Sequence, residues 1–293
     1  MFFVRLISSL PLSVLYVFSD VLFVLTYYVI RYRRKIVWQN LRNSFPDKPA
    51  EELAHIQRSF YRNLCDYAME MLRLVSMPAE ELTRRMQFRN LEVMERFKAA
   101  QQPVIVLASH QFNWEWLLVA ASLQHPMPAD FVYQKVKNKF FNDLSLRVRS
   151  RFGAYPIRRD QVARELAKRR EIVRMVATVA DQYPGYGRDK KYVARFLNQE
   201  TAFFLGTNQM AILSQYPVVY YRCVRIRRGY YTAEPIVVAE PPYDRESTVP
   251  LDNYIRLVEE TICKYPDGWL WSHNRWKKRH LSEGQVVRSS TLK

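Results

Sequence analysis

The sequence predicts an α/β protein: a mixed, largely parallel sheet flanked by helices, with an N-terminal hydrophobic anchor helix and a helical extension ahead of it. Three observations carry this. Unbroken apolar runs of strand length at 103–109 and 175–180 read as strands buried on both faces. Helical patterns alternate with such runs along the chain. One clear hairpin pattern, 217–226 with 230–238, turns near Arg228-Gly229 and adds an antiparallel pair.

The elements follow in order. From Leu6 to Ile30 run 25 residues whose only charge is Asp20. About 20 apolar residues cross a bilayer core, so the length suffices, although Pro11 and Asp20 interrupt an ideal span. A helix lying in the interface and a core helix are the alternatives. A signal peptide fits less well, because the run exceeds a typical h-region and no A-x-A-like site follows. Arg31, Arg33, Arg34 and Lys35 come next, and by the positive-inside rule they hold the body on the cytoplasmic side. Residues 31–46 read as a basic connector closing at Phe45-Pro46-Asp47, a helix stop and restart. A long helix over 50–75 carries Leu53, Ile56, Phe60, Leu64, Tyr67, Met71 and Leu74 at steps of three and four. Short helices follow Pro78 and span about 90–100. Beyond the strand at 103–109 come a helix over 113–123, a strand at 129–133 and a helix at about 138–151. A short strand at 155–157 and a helix over 160–171 precede the strand at 175–180, which ends at Asp181. Residues 182–195 read as a polar loop with Pro184, Gly185 and Gly187, followed by a helix at about 200–214. After the hairpin, a helix over 250–264 leads to the segment Trp269–Arg279. The expected division is an anchor at 1–30, a basic connector and helical portion at 31–100, and an α/β domain at 101–293.

Composition narrows the function classes. The chain has 293 residues, 45 Lys+Arg against 28 Asp+Glu, a formal charge of +17 and a pI near 9.8. A hydrophobic share of 48% excludes a disordered chain, and only 7 Gly exclude collagen-like and Gly-linker architectures. Cys65, Cys223 and Cys263 lie too far apart for a local zinc cluster, and their odd number makes no disulfide framework. His55, His125 and His280 show no metal spacing, so neither metal nor cofactor is expected. A basic chain with 14% aromatic residues calls for an anionic partner: nucleic acid, a membrane surface or an acidic ligand. The apolar N-terminal run and its flanking cations favour the bilayer over nucleic acid.

One constellation carries chemistry: Ser109-His110-Gln111-Phe112-Asn113-Trp114-Glu115, where the strand at 103–109 empties into a helix. Five positions turn about 500° in a straight helix, so His110 and Glu115 meet only if His110 stands on the loop and Glu115 on the first helical turn. A carboxylate-backed imidazole is then a general base, with Glu115 fixing the tautomer. The plainer reading is a His capping a helix, with Glu115 placed at the N-terminus by the dipole. Ser109 is not a Ser–His nucleophile, because adjacent strand residues face opposite ways.

This segment and its neighbours resemble the bacterial lipid A late acyltransferase family, the acyl carrier protein-dependent lauroyl and myristoyl transferases of the inner membrane. That family belongs to the wider glycerolipid-type acyltransferases with a His-x4-acid motif. Four stretches match in order. They are the N-terminal hydrophobic helix followed by Arg34, Val37, Asn40-Leu41 and Phe45-Pro46; the Ser109–Glu115 segment; Asp181-Gln182 with Phe196, Thr201 and Gly206; and Trp269–Lys277. Gln111-Phe112 stands where a Gly is usual, and Asn274 replaces one Arg. Tyr133-Gln134-Lys135 falls where Tyr-Arg-Pro is common, leaving Lys135 or Lys137 as substitute point charges for phosphate.

The resemblance implies a glycerolipid-acyltransferase-like fold and direct transfer of a fatty acyl chain from an acyl thioester to a lipid hydroxyl. The donor would be acyl carrier protein or acyl-CoA, the acceptor a lipid A precursor, and the place the cytoplasmic side of the bacterial inner membrane. His110 is then the general base and Glu115 its orienter. Asn113, Arg149, Arg151, Asp181 and Gln182 are the candidates for the oxyanion and the substrate hydroxyl. Arg275 and Lys277, interleaved with Trp269, Trp271 and Trp276, suit headgroup phosphates and the interface. Two other readings stay open: the same chemistry on a lysophospholipid, aminolipid or glycolipid, and a non-catalytic binder of anionic lipid.

Overall fold

The computed structural model describes residues 2–185, 190–276 and 286–289. Among them, strands occur in the chain order β1 (Met86–Phe88), β2 (Val104–Ala108), β3 (Ala129–Tyr133), β4 (Tyr155–Arg158), β5 (Met175–Val179), β6 (Lys191–Phe196), β7 (Gln199–Phe204), β8 (Val218–Arg227), β9 (Tyr230–Ala239) and β10 (Val286–Arg288). Seven form one sheet in the order β1-β9-β8-β2-β5-β3-β4. Its pairings are parallel except β8–β9, the predicted hairpin. The fold is therefore α/β with a largely parallel sheet flanked by helices. β2 and β5, the two unbroken apolar runs, lie side by side at its centre, in register from Val104↔Met175 to Ala108↔Val179.

The helices are α1 (Phe2–Ser8), α2 (Leu12–Val24, continued by a π turn over Leu25–Val29), α3 (Arg34–Ser44), α4 (Ala50–Leu74), α5 (Ala79–Arg85), α6 (Glu92–Ala99), α7 (Trp114–Gln124), α8 (Lys139–Arg149), α9 (Val162–Lys168), α10 (Gly206–Ser214) and α11 (Val249–Lys264). The basic connector over 31–46 is largely helical, and its helix ends at Phe45-Pro46: in α3, Val37 and Leu41 are buried four residues apart beneath a charged outer face. Residues 191–204 form a second hairpin, β6–β7, where a loop and a helix start were expected. Its two turn residues, Leu197 and Asn198, both have positive φ, as the tightest hairpin turn requires, yet neither is glycine.

The sheet separates two apolar layers. One gathers Ile105, Leu107, Val176 and Tyr220 with side chains of α3, α4 and α11; the other gathers Val106, Phe131, Met175 and Tyr221 with α5, α6 and α7. Both layers also take residues from the N-terminal helices.

The segment Leu12–Val29 is long and apolar enough to cross a membrane by length and composition. One face of α2 nevertheless packs on the body, burying Leu12, Leu15, Ser19 and Phe23. Tyr16 donates to Glu70 at 2.7 Å, Ser19 donates to Asp66 at 2.7 Å, and Asp20 pairs with Arg228 of the β8–β9 turn at 2.7 Å. The opposite face leaves Val14, Val17, Phe18, Val21 and Val24 exposed.

Candidate active site

Parallel strands release the chain at their C-terminal ends, where loops from neighbouring strands meet. Ala108 of β2 is level with Val179 of β5, so the residues two positions further on, His110 and Asp181, come face to face. The Asp181 carboxylate lies 2.6 Å from His110 Nδ1 and accepts the His110 backbone N–H at 2.9 Å and Trp269 Nε1 at 2.7 Å. Asp181 is wholly buried, and burial alone would raise its carboxyl pKa. The adjacent imidazole and these donors more than offset that and hold it below the usual aspartate value. With Nδ1 committed to Asp181, the Nε2 edge of His110 is left for substrate. The imidazole side chain is 16% exposed, and Trp114 packs edge-on to it with ring centroids 4.8 Å apart.

The carboxylate behind the imidazole is thus Asp181, and the expected pairing of Glu115 with His110 is corrected. Glu115, in the first turn of α7, points towards the end of α8 and binds Arg149 through both oxygens, accepting Nε at 2.8 Å and Nη2 at a shorter distance. Helical twist explains this: once α7 begins at Trp114, Glu115 faces the neighbouring helix. Burial works against the Arg149 charge, but the Glu115 carboxylate outweighs it and holds the guanidinium above its usual pKa.

A cavity of about 370 Å³ opens at this point. It lies between the sheet and the α7–α8 pair, with Val106, Phe131, Ala177, Leu117, Leu118 and Ala121 among its walls. His110, Glu115, Arg149 and Gln182 supply its polar edge. A second cavity, of about 910 Å³, shares Tyr133, Gln134, Thr178, Val179 and Phe204 with the first. Lys135, Arg158, Arg159 and Lys190 border it. Lys137 is exposed beyond that border.

Other predicted residues have structural partners instead. Asn113 caps α7, accepting the Trp116 N–H at 2.9 Å, and donates to the buried Glu70 at 2.7 Å. Arg151 is turned away and donates to the carbonyls of Leu74 and Met77 at 3.2 and 2.6 Å, beyond the end of α8. Ser109 hydrogen-bonds Tyr220 at 3.1 Å on the opposite face of β2, as strand alternation predicts.

Arg275 is 1% exposed, donates to the Asp181 carbonyl at 2.8 Å and lies over the Phe203 ring. Burial brings its pKa down to about 10. It braces the site from behind and offers no surface to a headgroup. Trp269 and Trp271 are buried as well, which corrects their assignment to an interface. Lys277 lies outside the described residues.

The C-terminal segment is the clasp of the motif loop. Phe112 N–H donates to Gly268 O at 2.7 Å, Leu270 N–H to His110 O at 3.0 Å, and Gln111 Nε2 to Tyr265 O at 2.8 Å. A Cβ on Gly268 would overlap the Phe112 ring, which would have to move to admit a larger residue.

Glu70 is the buried neighbour of the site that sequence reasoning missed. It is fully buried, accepts from Tyr16, Asn113 and Tyr231, and its carbonyl takes Trp116 Nε1 at 3.1 Å. An acid in the last turns of a long amphipathic helix, one turn after Asp66, gives no sign of such a role. No group of three or more His, Cys, Asp or Glu side chains could hold a metal among the described residues.

Over residues 1–278 the chain matches the family model for bacterial lipid A biosynthesis acyltransferases. No curated protein matches it.

Proposed function

Because the chain belongs to the bacterial lipid A biosynthesis acyltransferase family, we propose that it moves a fatty acyl group from an acyl thioester to a hydroxyl of a lipid A precursor at the His110 centre. The donor in this reading is acyl carrier protein, with acyl-CoA as the other thioester source. The observation that carries it is the imidazole held through Nδ1 by a buried carboxylate at the mouth of an apolar cavity.

The chemistry follows from that geometry. The acyl chain occupies the apolar cavity and presents its thioester carbonyl at the polar edge. The acceptor hydroxyl attacks the carbonyl carbon while His110 Nε2 takes its proton, and Asp181 stabilises the resulting imidazolium. The negative charge then rests on the former carbonyl oxygen. Arg149 uses Nε and Nη2 on Glu115 and keeps its remaining N–H donors for that oxyanion. Collapse re-forms the carbonyl, breaks the carbon–sulfur bond and expels a thiolate, which takes the proton back from His110. An ester and a free thiol result, with no enzyme nucleophile. Glu115 acts through Arg149 and is a positioning residue. In this reading Gln182, at the edge of the first cavity, meets the acceptor hydroxyl, and Lys135, Arg158 and Arg159, at the second, meet acceptor phosphate.

In this reading the reaction takes place at the cytoplasmic surface of the inner membrane, which the exposed apolar face of α2 and the cations that follow it support. The test is mass spectrometry of lipid A from cells with and without the protein, paired with transfer by the purified enzyme from an acyl carrier protein thioester or acyl-CoA. A lipid A species one acyl chain short in cells without the protein is the expected result. An unchanged lipid A profile would sink the reading.

A further inference from the structure

We propose that residues 135–141 form a second membrane-docking element, one that seats the mouth of the His110 cavity on an anionic bilayer. Val136, Phe140 and Phe141 are 49%, 43% and 60% exposed within one short stretch. Lys135, Lys137 and Lys139 alternate with them and are exposed too, Lys139 beside Asp143 at 2.6 Å. Apolar side chains interleaved with lysines at a protein edge form a surface suited to the headgroup boundary of an anionic membrane.

The protrusion is built. Asn138 caps α8 by accepting the Phe141 N–H at 3.2 Å, and Asn142 accepts the Val136 N–H at 3.2 Å, folding 136–138 back over the first turn of α8. The aromatic pair is thereby presented from a helix start. Its position is the second observation. Val136 and Asn142 line the first cavity, with Ser145 and Leu146 one turn further along α8, and Lys135 lines the second cavity. An acyl or lipid chain passing such a rim leaves the bilayer for the cavity without exposing its methylenes to water. An acidic protein would also satisfy the lysines. The bilayer is favoured because the exposed phenyl rings stand beside the opening through which an apolar chain passes. That last step rests on the acyltransferase reading; the docking itself does not.

Phe141→Trp in the full-length protein, with wild type subtracted, tests the docking directly. With phosphatidylglycerol vesicles the added emission is expected to shift to the blue and to be quenched by lipids brominated on their acyl chains. Emission that keeps its solvent wavelength and its acrylamide quenching overturns the proposal. So does shielding by an acidic carrier protein in the absence of vesicles. A second measurement compares Phe140→Ser/Phe141→Ser with wild type, using acceptor in vesicles and in detergent micelles. The ratio of vesicle to micelle turnover should fall about tenfold, since two buried phenyl groups are lost from the contact. An unchanged ratio overturns the proposal, whether both rates hold or both fall. If the wild type transfers no acyl group at all, the proposed function fails and the fluorescence result still decides the docking.

Discussion

At the residue scale the two carboxylates near His110 do different work, and substitutions separate them. Asp181 holds Nδ1, so Asp181→Asn keeps the shape but favours the wrong tautomer. Turnover is expected to fall roughly a thousandfold or more with the fold intact by circular dichroism. His110→Ala should leave no transfer above background. Arg149→Ala removes the proposed oxyanion donor and is expected to cost about 10²–10³ in kcat. Glu115→Ala frees the same guanidinium, so the double variant should lose little beyond the worse single one. Additive losses would show that Glu115 acts independently of Arg149. The pH dependence has a definite sign. Asp181 titrates below the usual aspartate value, so the stability that it contributes is present above the usual value and lost as pH falls through the lowered one. Urea midpoints in detergent should therefore drop below about pH 4 in wild type, and drop less in Asp181→Asn over the same interval. Parallel declines would remove Asp181 as the source.

At the scale of elements, the helices and strands with strong periodicity were legible from the chain alone. The long helix expected over 50–75 is α4 at Ala50–Leu74, and the apolar runs became β2 and β5. The β6–β7 hairpin was not legible, because its turn lacks the Asn-Gly or Gly signal that marks such connections. Leu197 accepts a left-handed backbone because its side chain is almost fully buried in the core. Glycine there relieves about 1–2 kcal/mol of backbone cost but forfeits about 2–5 kcal/mol of buried leucine. Leu197→Gly is therefore expected to lower stability, seen as a reduced urea midpoint; a raised one would refute the balance. The cap of α7 is a further case. Asn113→Ala loses a helix cap at about 1–2 kcal/mol and leaves Glu70 short of one donor, so thermal unfolding should shift clearly downward. In the basic stretch at 31–46 the helix stop at Phe45-Pro46 was legible, but surface charges dominate the pattern, and only the partner helix α4 shows that Val37 and Leu41 share a buried face.

Across the whole molecule, the formal charge of +17 divides between buried and surface roles. Arg174 and Arg275 are buried in ion-pair or carbonyl contacts, Lys139 and Arg158 pair with Asp143 and Asp160 at the surface, and Arg31, Lys35, Lys135 and Lys137 are exposed cations suited to anionic partners. Binding to phosphatidylglycerol vesicles should weaken as salt rises, because screening shortens from about 10 Å at 0.1 M to about 3 Å at 1 M. It should not vanish, because the exposed face of α2 contributes an apolar, salt-insensitive part. Complete release at high salt in a sedimentation assay would exclude that part. The sequence by itself determined the α/β class, the central strands, the apolar N-terminal helix and the presence of His110 at a strand end. These depend on periodicity and local residue chemistry, which are written in consecutive positions. Only the tertiary structure decided which acid faces His110, that Glu115 serves Arg149, that Arg275 and Trp269 brace the site from inside, and that Glu70 ties α2 to the cap of α7. Those facts follow from strand order and register, which bring residues 71 positions apart within hydrogen-bonding distance, as with His110 and Asp181, and no local pattern encodes that order.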